Sequence, residues 1–451
     1  MANSTTQPVI SYTAGQQEAH TLVRSYLMGK LKLNWVWITG PAGTGKTLIT
    51  TDIARGMAQR MKICISAPTG KAINVLKAKL GDAPISGFRT VHSLLGLRDN
   101  ENEFEPDFIK AADVAIKYYD AIFFDESSML NNDMFSSLIE HQGKCKFVFI
   151  GDVEQLLPPK GQQANVFYES DDIKGVRLTE IVRQGKLSPI IQLASHLLTD
   201  FSVPDKFVLN LHEGHGTYLA DSAISDERTW FRECLLDIFS SREYRDNTNF
   251  ARVICATVNM TSKMNDTLRS YIYGDSVHES KILYGENLIA NGRHVVDDNV
   301  VLGNNDQIKI LSYTVENYDL TDQIRFKVYN AHALLIDQET EVDIRILHED
   351  SQADYDMLLT YFKSMQTQHR KGTPAYSAAA ANYKRLLSTF AQVGYNYATT
   401  CHKAQGSTYN KSIVLLNNLL QVSDANWGYD EKRRWLYTAV TRASQDVIMV
   451  V

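Results

Sequence analysis

The sequence predicts an α/β protein made of two α/β halves, the first interrupted by a small inserted hairpin and the second by an antiparallel β-barrel with two helices. Three observations predict it. First, Gly40-Pro41-Ala42-Gly43-Thr44-Gly45-Lys46-Thr47 fits the phosphate-loop pattern G-x-x-x-x-G-K-[ST] and lies between an apolar strand, Asn34 to Thr39, and a helical stretch, Thr47 to Gln59. Second, short apolar runs ending in polar loops recur at Lys62 to Ala67, Ala121 to Glu126 and Lys146 to Ile150, and again at Ala251 to Ala256 and Ser412 to Leu416. That is the texture of parallel strands whose ligand-binding loops share one edge of a sheet. Third, the stretch from about Tyr284 to His348 alternates, as in Gln307 to Leu311, Ile324 to Tyr329 and Val342 to Leu347, with turn residues such as Asn304-Asn305-Asp306 between runs.

Composition bounds the function. The 451 residues suit about two to four domains. A hydrophobic content of 44 % supplies a sizeable core, and the absence of any run of about 18 apolar residues argues against a membrane span. Met1 to Ser11 is polar, lacks a basic-then-apolar signal, and reads as a short flexible lead. The cysteines, Cys64, Cys145, Cys234, Cys255 and Cys401, are far apart and form no C-x-x-C, so neither a zinc knuckle nor a disulfide framework is indicated, and a reducing cytoplasm fits. A net charge of −6 excludes a wholly basic coat for nucleic acid but leaves room for a local basic groove.

Taken in order, Thr13 is placed to cap a helix running to about Leu27. Within it the Gln16 amide can donate to and accept from an adenine edge, or face solvent as an ordinary helix glutamine. In Gly40 to Thr47 the glycines let the backbone curl so that N–H groups face phosphate oxygens. Lys46 reaches the β- and γ-phosphates, the Thr47 hydroxyl holds Mg²⁺, and the positive end of the next helix points at the same place. After the second strand, Thr69 and Lys71 stand where they contact nucleic-acid phosphates or simply cap the helix. Gly81 to Tyr119 breaks the rhythm. There Thr90-Val91-His92 is followed by an acidic, turn-prone run, Arg98 to Asp107, with Phe104 alone apolar in its middle. Such a hairpin tip can stack on a base or wedge a duplex, or Phe104 can pack back on the body. Asp125 and Glu126 end a strand: the first is suited to hold Mg²⁺ through water, the second to take a proton from attacking water. Gln155, after Gly151-Asp152, can sense the γ-phosphate, and Arg183 is a candidate γ-phosphate ligand by its place in the set. Two helices, about Gln352 to Gln368 and Tyr376 to Phe390, carry Lys363, His369, Arg370, Lys371, Lys384 and Arg385, a solvated or DNA-facing basic surface. The α/β texture then resumes through Thr400, His402, Lys403 and Gly406, a helix ending near Arg442, and the closing strand Val447 to Val451.

As an ordered series these motifs resemble superfamily 1 helicases, more narrowly the RecD-like branch, superfamily 1B. Gln16 matches the adenine motif and Gly40 to Thr47 the phosphate loop. Ala67 to Ala72 and Thr90 to His92 match the first DNA-contact motifs. Asp125-Glu126 matches the Mg²⁺ and general-base pair, Gly151-Asp152 with Gln155 the sensor, and Arg183 the fourth motif. Thr400 to Gly406 matches the fifth, and Tyr437 to Ala443 the sixth, with Arg442 as arginine finger. The likeness spans residues 12 to 451. It departs at Leu156-Leu157-Pro158-Pro159, which has one leucine more than the usual spacing.

The resemblance implies two RecA-like P-loop NTPase domains with ATP and Mg²⁺ between them. The first would comprise residues 1–80 and 120–185, with a pin hairpin at 81–119. The second would comprise 186–283 and 391–451, with an SH3-like β-barrel and helical insertion at 284–390. It implies a catalytic set of Lys46, Glu126, Gln155, Arg183 and Arg442, with Gly406 in the nucleotide set, and a Phe104 pin. Single-stranded DNA would be gripped by Thr69, Lys71, Thr90 and His92 on one side and by Thr400, His402 and Lys403 on the other. The activity it implies is that of a monomeric 5′→3′ DNA helicase acting on single strands and single-strand/duplex junctions in phage replication or recombination. Host cytoplasm would be its location, and single-strand-binding protein and replisome components its protein partners. Two other readings stay open: a translocase that strips bound proteins without opening duplexes, and an ATP-gated DNA-binding or loading module. The full catalytic set argues against the second. The second motif set disfavours a metabolic kinase.

Overall fold

Runs such as Trp35-Val36-Trp37-Ile38-Thr39 and Ile63-Cys64-Ile65-Ser66-Ala67 are buried along their whole length. A strand with no solvent face needs cover on both sides, which selects a parallel sheet between helical layers. The computed structural model describes residues 11–99, 108–110, 113–158, 163–182, 188–203, 209–212, 214–296, 299–321, 324–423 and 427–451. The first half runs α1 (Ala14–Leu27), β1 (Trp35–Thr39), α2 (Lys46–Met57), β2 (Ile63–Ala67), α3 (Gly70–Leu80), β3 (Gly87–Thr90), α4 (Val91–Leu94), β4 (Leu97–Asp99), β5 (Phe108–Lys110), β6 (Ala121–Phe124), α5 (Asn132–Glu140), β7 (Lys146–Gly151) and β8 (Ile173–Arg177). Six of these strands form one parallel sheet, ordered β3-β2-β6-β7-β1-β8. Aliphatic side chains of α1, α2 and α3, including Val23, Ile53 and Leu76, cover one face. On the other face the strands' own aromatic side chains, Trp35, Phe124, Phe147 and Phe149, form a layer packed against Leu94, Ile116, Leu138 and Val166. Gly175 in β8 makes room for it, since a Cβ there would stand 1.9 Å from the Trp37 ring.

The inserted hairpin is smaller than the expected span 81–119. Gly87–Thr90 pairs in parallel with β2, from Cys64 opposite Gly87 to Ala67 opposite Thr90, and so belongs to the main sheet. Ala115 and Ile116 are buried in the aromatic core. Among the described residues, the antiparallel pair β4–β5 is what remains of the excursion. The physical reason is that β3 is a half-exposed edge strand of four residues, which no apolar run announces. Phe104 lies outside the described residues.

The second half continues with α6 (Pro189–His196), β9 (Leu209–His212), β10 (His215–Ala220), α7 (Ser225–Ser240), α8 (Arg242–Asp246), β11 (Ala251–Cys255) and α9 (Val258–Tyr273). The β-rich insertion follows: β12 (Asn287–Ala290), β13 (His294–Val296), β14 (Asn299–Leu302), β15 (Gln307–Thr321), β16 (Ile324–Leu335), β17 (Thr340–Leu347), α10 (Gln352–Gln368), α11 (Pro374–Thr389) and β18 (Val393–Tyr395). The chain then returns through β19 (Ala398–Thr400), α12 (Cys401–Ala404), β20 (Tyr409–Leu415), α13 (Leu416–Leu420), α14 (Tyr429–Val440) and β21 (Ala443–Val450). A second sheet, β19-β11-β20-β21-β10-β9, is parallel except for its edge strand β9. The insertion is an antiparallel sheet, β17-β16-β15-β12-β18, whose ends approach where Ala391 N–H donates to the Arg345 carbonyl at 2.7 Å. Its closing strand, β18, lies beyond the expected limit at residue 390. A buried, two-pronged ion pair between Arg269 of α9 and Glu286, at 2.7 and 3.2 Å, keys this sheet to the second domain.

Candidate nucleotide cleft and nucleic-acid grip

The loop after β1 is shaped by its own residues. Gly43 and Gly45 sit at φ 85° and 82°, in the left-handed region that glycine enters without strain. The Thr44 hydroxyl donates to the Pro41 carbonyl at 2.9 Å. Gln16 braces the loop from beneath. It is 1 % exposed, its Nε2 donates to the Thr44 carbonyl at 2.9 Å, and its Oε1 accepts from Thr13 N–H at 3.1 Å. One N–H and one lone pair of that amide remain beyond these two bonds. Lys46 folds back over the loop, with Nζ donating to the carbonyls of Gly40 and Pro41 and lying 4.0 Å from Asp152.

β6 and β7 deliver Asp125-Glu126 and the loop to Gln155 to the same sheet edge. Burial, reinforced by the Glu126 carboxylate next to it, pushes the Asp125 carboxyl up to about 7. A cation beside it would offset both effects, which is the chemistry expected of a divalent-metal ligand. Glu126 is held at φ 51°, ψ 38°, a left-handed conformation that costs a non-glycine residue about 1–3 kcal/mol. That conformation turns the Glu126 backbone away from the strand line, and its N–H donates to Asp125 Oδ1 at 3.0 Å.

The other wall of the cleft is α14 of the second domain. The Tyr437 hydroxyl accepts from Ala42 N–H at 2.8 Å and donates to Asp152 Oδ2 at 2.7 Å. The Thr438 hydroxyl accepts from Leu156 N–H at 3.0 Å, and Arg434 Nη1 donates to the carbonyls of Val153 and Gln155. Gln155 is 4 % exposed, and its Oε1 has no partner among the described residues. Arg442 does not reach across. Arg442 is 6 % exposed, and its guanidinium donates to the carbonyls of Thr438 and Ser407, both at 3.2 Å, within its own domain. Arg183 lies outside the described residues. Gly406, expected in the nucleotide set, instead packs on the first domain: a Cβ there would stand 3.1 Å from the Ala72 Cβ and 3.6 Å from the Thr69 hydroxyl. Its φ of 72° is what lets the fifth motif turn so closely against α3.

The candidate nucleic-acid contacts form a repeated device. Thr69 caps α3 at φ −123°, ψ 153°, and Thr257 caps α9 at φ −121°, ψ 151°. Thr90 caps α4 at φ −69°, ψ 157°, and Thr400 caps α12 at φ −75°, ψ 152°. Register matches as well: Ala67 pairs with Thr90 as Cys255 pairs with Thr400. Each domain thus presents two threonine-capped helix starts side by side at its sheet edge, and helix starts favour phosphate. His92 and His402 occupy the same place after their threonines. Burial lowers the His402 pKa, so at neutral pH it offers an N–H and no charge. Lys403 is exposed beside it. Thr257 was not singled out in the sequence. The signal that finds it is a threonine two residues beyond the strand end, as at Thr69.

Lys71 departs from the expected phosphate contact. Its Nζ donates to Asn249 Oδ1 at 2.9 Å and lies 5.5 Å from the centre of the Tyr409 ring, both in the second domain. From the first turn of α3 its side chain points across the interdomain contact, and the Tyr409 ring there offsets part of the burial that lowers its pKa.

Residues 25–162 match a family model described as an AAA domain, and residues 395–450 one described as a UvrD-like helicase C-terminal domain. The chain is 25 % identical over 471 residues to the ATP-dependent DNA helicase dda of Enterobacteria phage T4, covering 97 % of this chain and 99 % of that one. It is 30 % identical over 167 residues to the ATP-dependent RecD2 DNA helicase of Deinococcus radiodurans, covering 36 % and 21 %. In fold it is similar to the Pif1 helicase from Candida albicans, with a TM-score of 0.50, 16 % identity, and coverage of 98 % and 94 %.

Proposed function

We propose that this chain, a helicase of the RecD-like superfamily 1B branch, is an ATP-driven motor that moves 5′→3′ along single-stranded DNA and opens duplex ahead of it. The observation that carries the reading is the duplicated threonine-capped grip, one copy per domain, beside a cleft whose two walls are the phosphate loop and α14. Lys46 and the loop N–H groups bind the phosphates of ATP. Thr47 and Asp125 hold Mg²⁺, which when bound supplies electrophilic stabilisation of the charge developing on the phosphates. Glu126 accepts the proton of the attacking water, and Gln155 senses the γ-phosphate. Arg183 joins them as a γ-phosphate ligand, and Phe104 as the strand-separating aromatic. Closing and opening the cleft changes the separation of the two grips, so each turnover shifts the strand from one to the other. Action as a monomer, in phage replication or recombination, belongs to the same reading.

Strand separation on matched duplexes with a 5′ or a 3′ single-stranded tail tests it. Only the 5′-tailed substrate is expected to open. Opening of the 3′-tailed one alone would reverse the polarity. If neither opened while single strands still stimulated turnover, a translocase would take its place.

The duplication makes a further prediction. Thr69→Ala and Thr257→Ala are each expected to weaken single-strand affinity about 3–10-fold, the worth of one hydrogen bond. Fluorescence anisotropy at fixed salt would measure this. Loss in Thr69→Ala with none in Thr257→Ala would break the equivalence of the two grips.

A further inference from the structure

Among the described residues bridging the cleft, Tyr437 alone joins the phosphate loop, the loop after β7 and the second domain through one atom. Its ring is fully buried, its hydroxyl accepts from Ala42 N–H, and it donates to Asp152. Asp152 in turn lies 4.0 Å from Lys46 Nζ and accepts from Glu154 N–H at 3.1 Å through its other oxygen. Burial and the neighbouring carboxylate hold the phenol far above its ordinary pKa, so it stays a donor. The two bonds are directional and reach the loops after two different strands, β1 and β7, so they form together only when α14 lies in one position against the sheet. The flanking contacts of Arg434 and Thr438 fall on backbone atoms and fix where α14 docks. The Tyr437 contacts reach groups beside the catalytic lysine.

We infer that Tyr437 is a positioning residue for ATP hydrolysis, a closure-dependent strut that sets the phosphate loop and Asp152 relative to Lys46 when the domains meet. This rests on the proposed motor reading. The strut acts separately from Arg442, which in the same structure is tied to its own domain. A strut of this kind sets the rate of the step that follows closure and leaves the affinity of the open cleft for nucleotide alone.

Tyr437→Phe removes the hydroxyl and keeps the ring. Expected is a fall of at least about tenfold in DNA-saturated kcat, with less than a twofold change in ATP affinity measured with a fluorescent nucleotide, and a melting temperature within a few degrees of wild type. Asp152→Asn, which weakens the same bond from the other side, is expected to give a comparable loss, and the double variant little more than either alone. Unchanged kcat in Tyr437→Phe, an equal loss of kcat and ATP affinity, or fully additive effects would each overturn the inference. If Tyr437→Phe did not fold, a normal kcat in Asp152→Asn would overturn it and a kcat-only loss would support it. Lys46→Ala run alongside separates the two levels. Normal turnover there would remove the motor reading itself, whereas loss there with a normal Tyr437→Phe would remove only the strut.

Discussion

Replacing Lys46 with alanine is expected to lower DNA-stimulated ATP turnover by roughly 10²–10³-fold or more, the cost of removing a preorganised charge from a developing anion. The fold should survive. The loop keeps its shape through Gly43 and Gly45, the Thr44–Pro41 hydrogen bond, and the Gln16 amide beneath it, and none of these involves the lysine. What the lysine contributes locally is two bonds to loop carbonyls, and water can replace these at a side chain that is 15 % exposed. A phosphate-release assay with excess single strand, paired with a thermal melt, separates the two effects. Wild-type turnover in the variant would sink the assignment of this loop as the nucleotide site. Loss of turnover together with loss of the fold would instead mean that the carbonyl bonds matter more than their exposure indicates.

The reason so much of this site was legible is that phosphate chemistry constrains local sequence tightly. A loop that must curl, present N–H groups and end in a lysine leaves few choices at Gly40 to Thr47, and a strand that must end in two carboxylates leaves few at Asp125-Glu126. The parallel sheets were legible for a similar reason, because five buried residues in a row admit little else. What escaped was decided between segments. β3 has no apolar signature because it is an edge strand, so only its pairing with β2 reveals it. Lys71 lies in a motif that suggests phosphate contact, yet its direction along α3 sends it to Asn249. Gly406 is explained by the approach of Ala72 across the interdomain contact. Thr257 stands two residues beyond its strand as Thr69 does, but what makes the two equivalent is their matching backbone angles. In each case the missing information was an orientation between elements distant in the chain.

Replacing Arg442 with alanine is expected to leave ATP binding in place and to lower DNA-stimulated turnover by roughly 10³-fold or more, the range an arginine finger supplies in other NTPases. The structure sharpens what this variant tests. Tyr437 and Thr438 already touch the first domain, yet the Arg442 fork is spent on the carbonyls of Thr438 and Ser407. Two of its five N–H donors go to these carbonyls and one to the Thr441 hydroxyl at 3.4 Å, so turning the guanidinium toward a phosphate oxygen adds a charged acceptor or exchanges a neutral one for it, which is favourable once anionic charge is present. Alanine also removes the tether between the end of α14 and the loop after α12, at a cost of about 1–3 kcal/mol in stability. Arg442→Lys is the companion that keeps the charge but loses the fork. Strong loss in both variants, with melting temperatures that differ between them, would separate the catalytic role from the tether. Full turnover in Arg442→Ala would mean that first-domain groups alone stabilise the transferred phosphate, and hydrolysis would no longer depend on cleft closure through this residue.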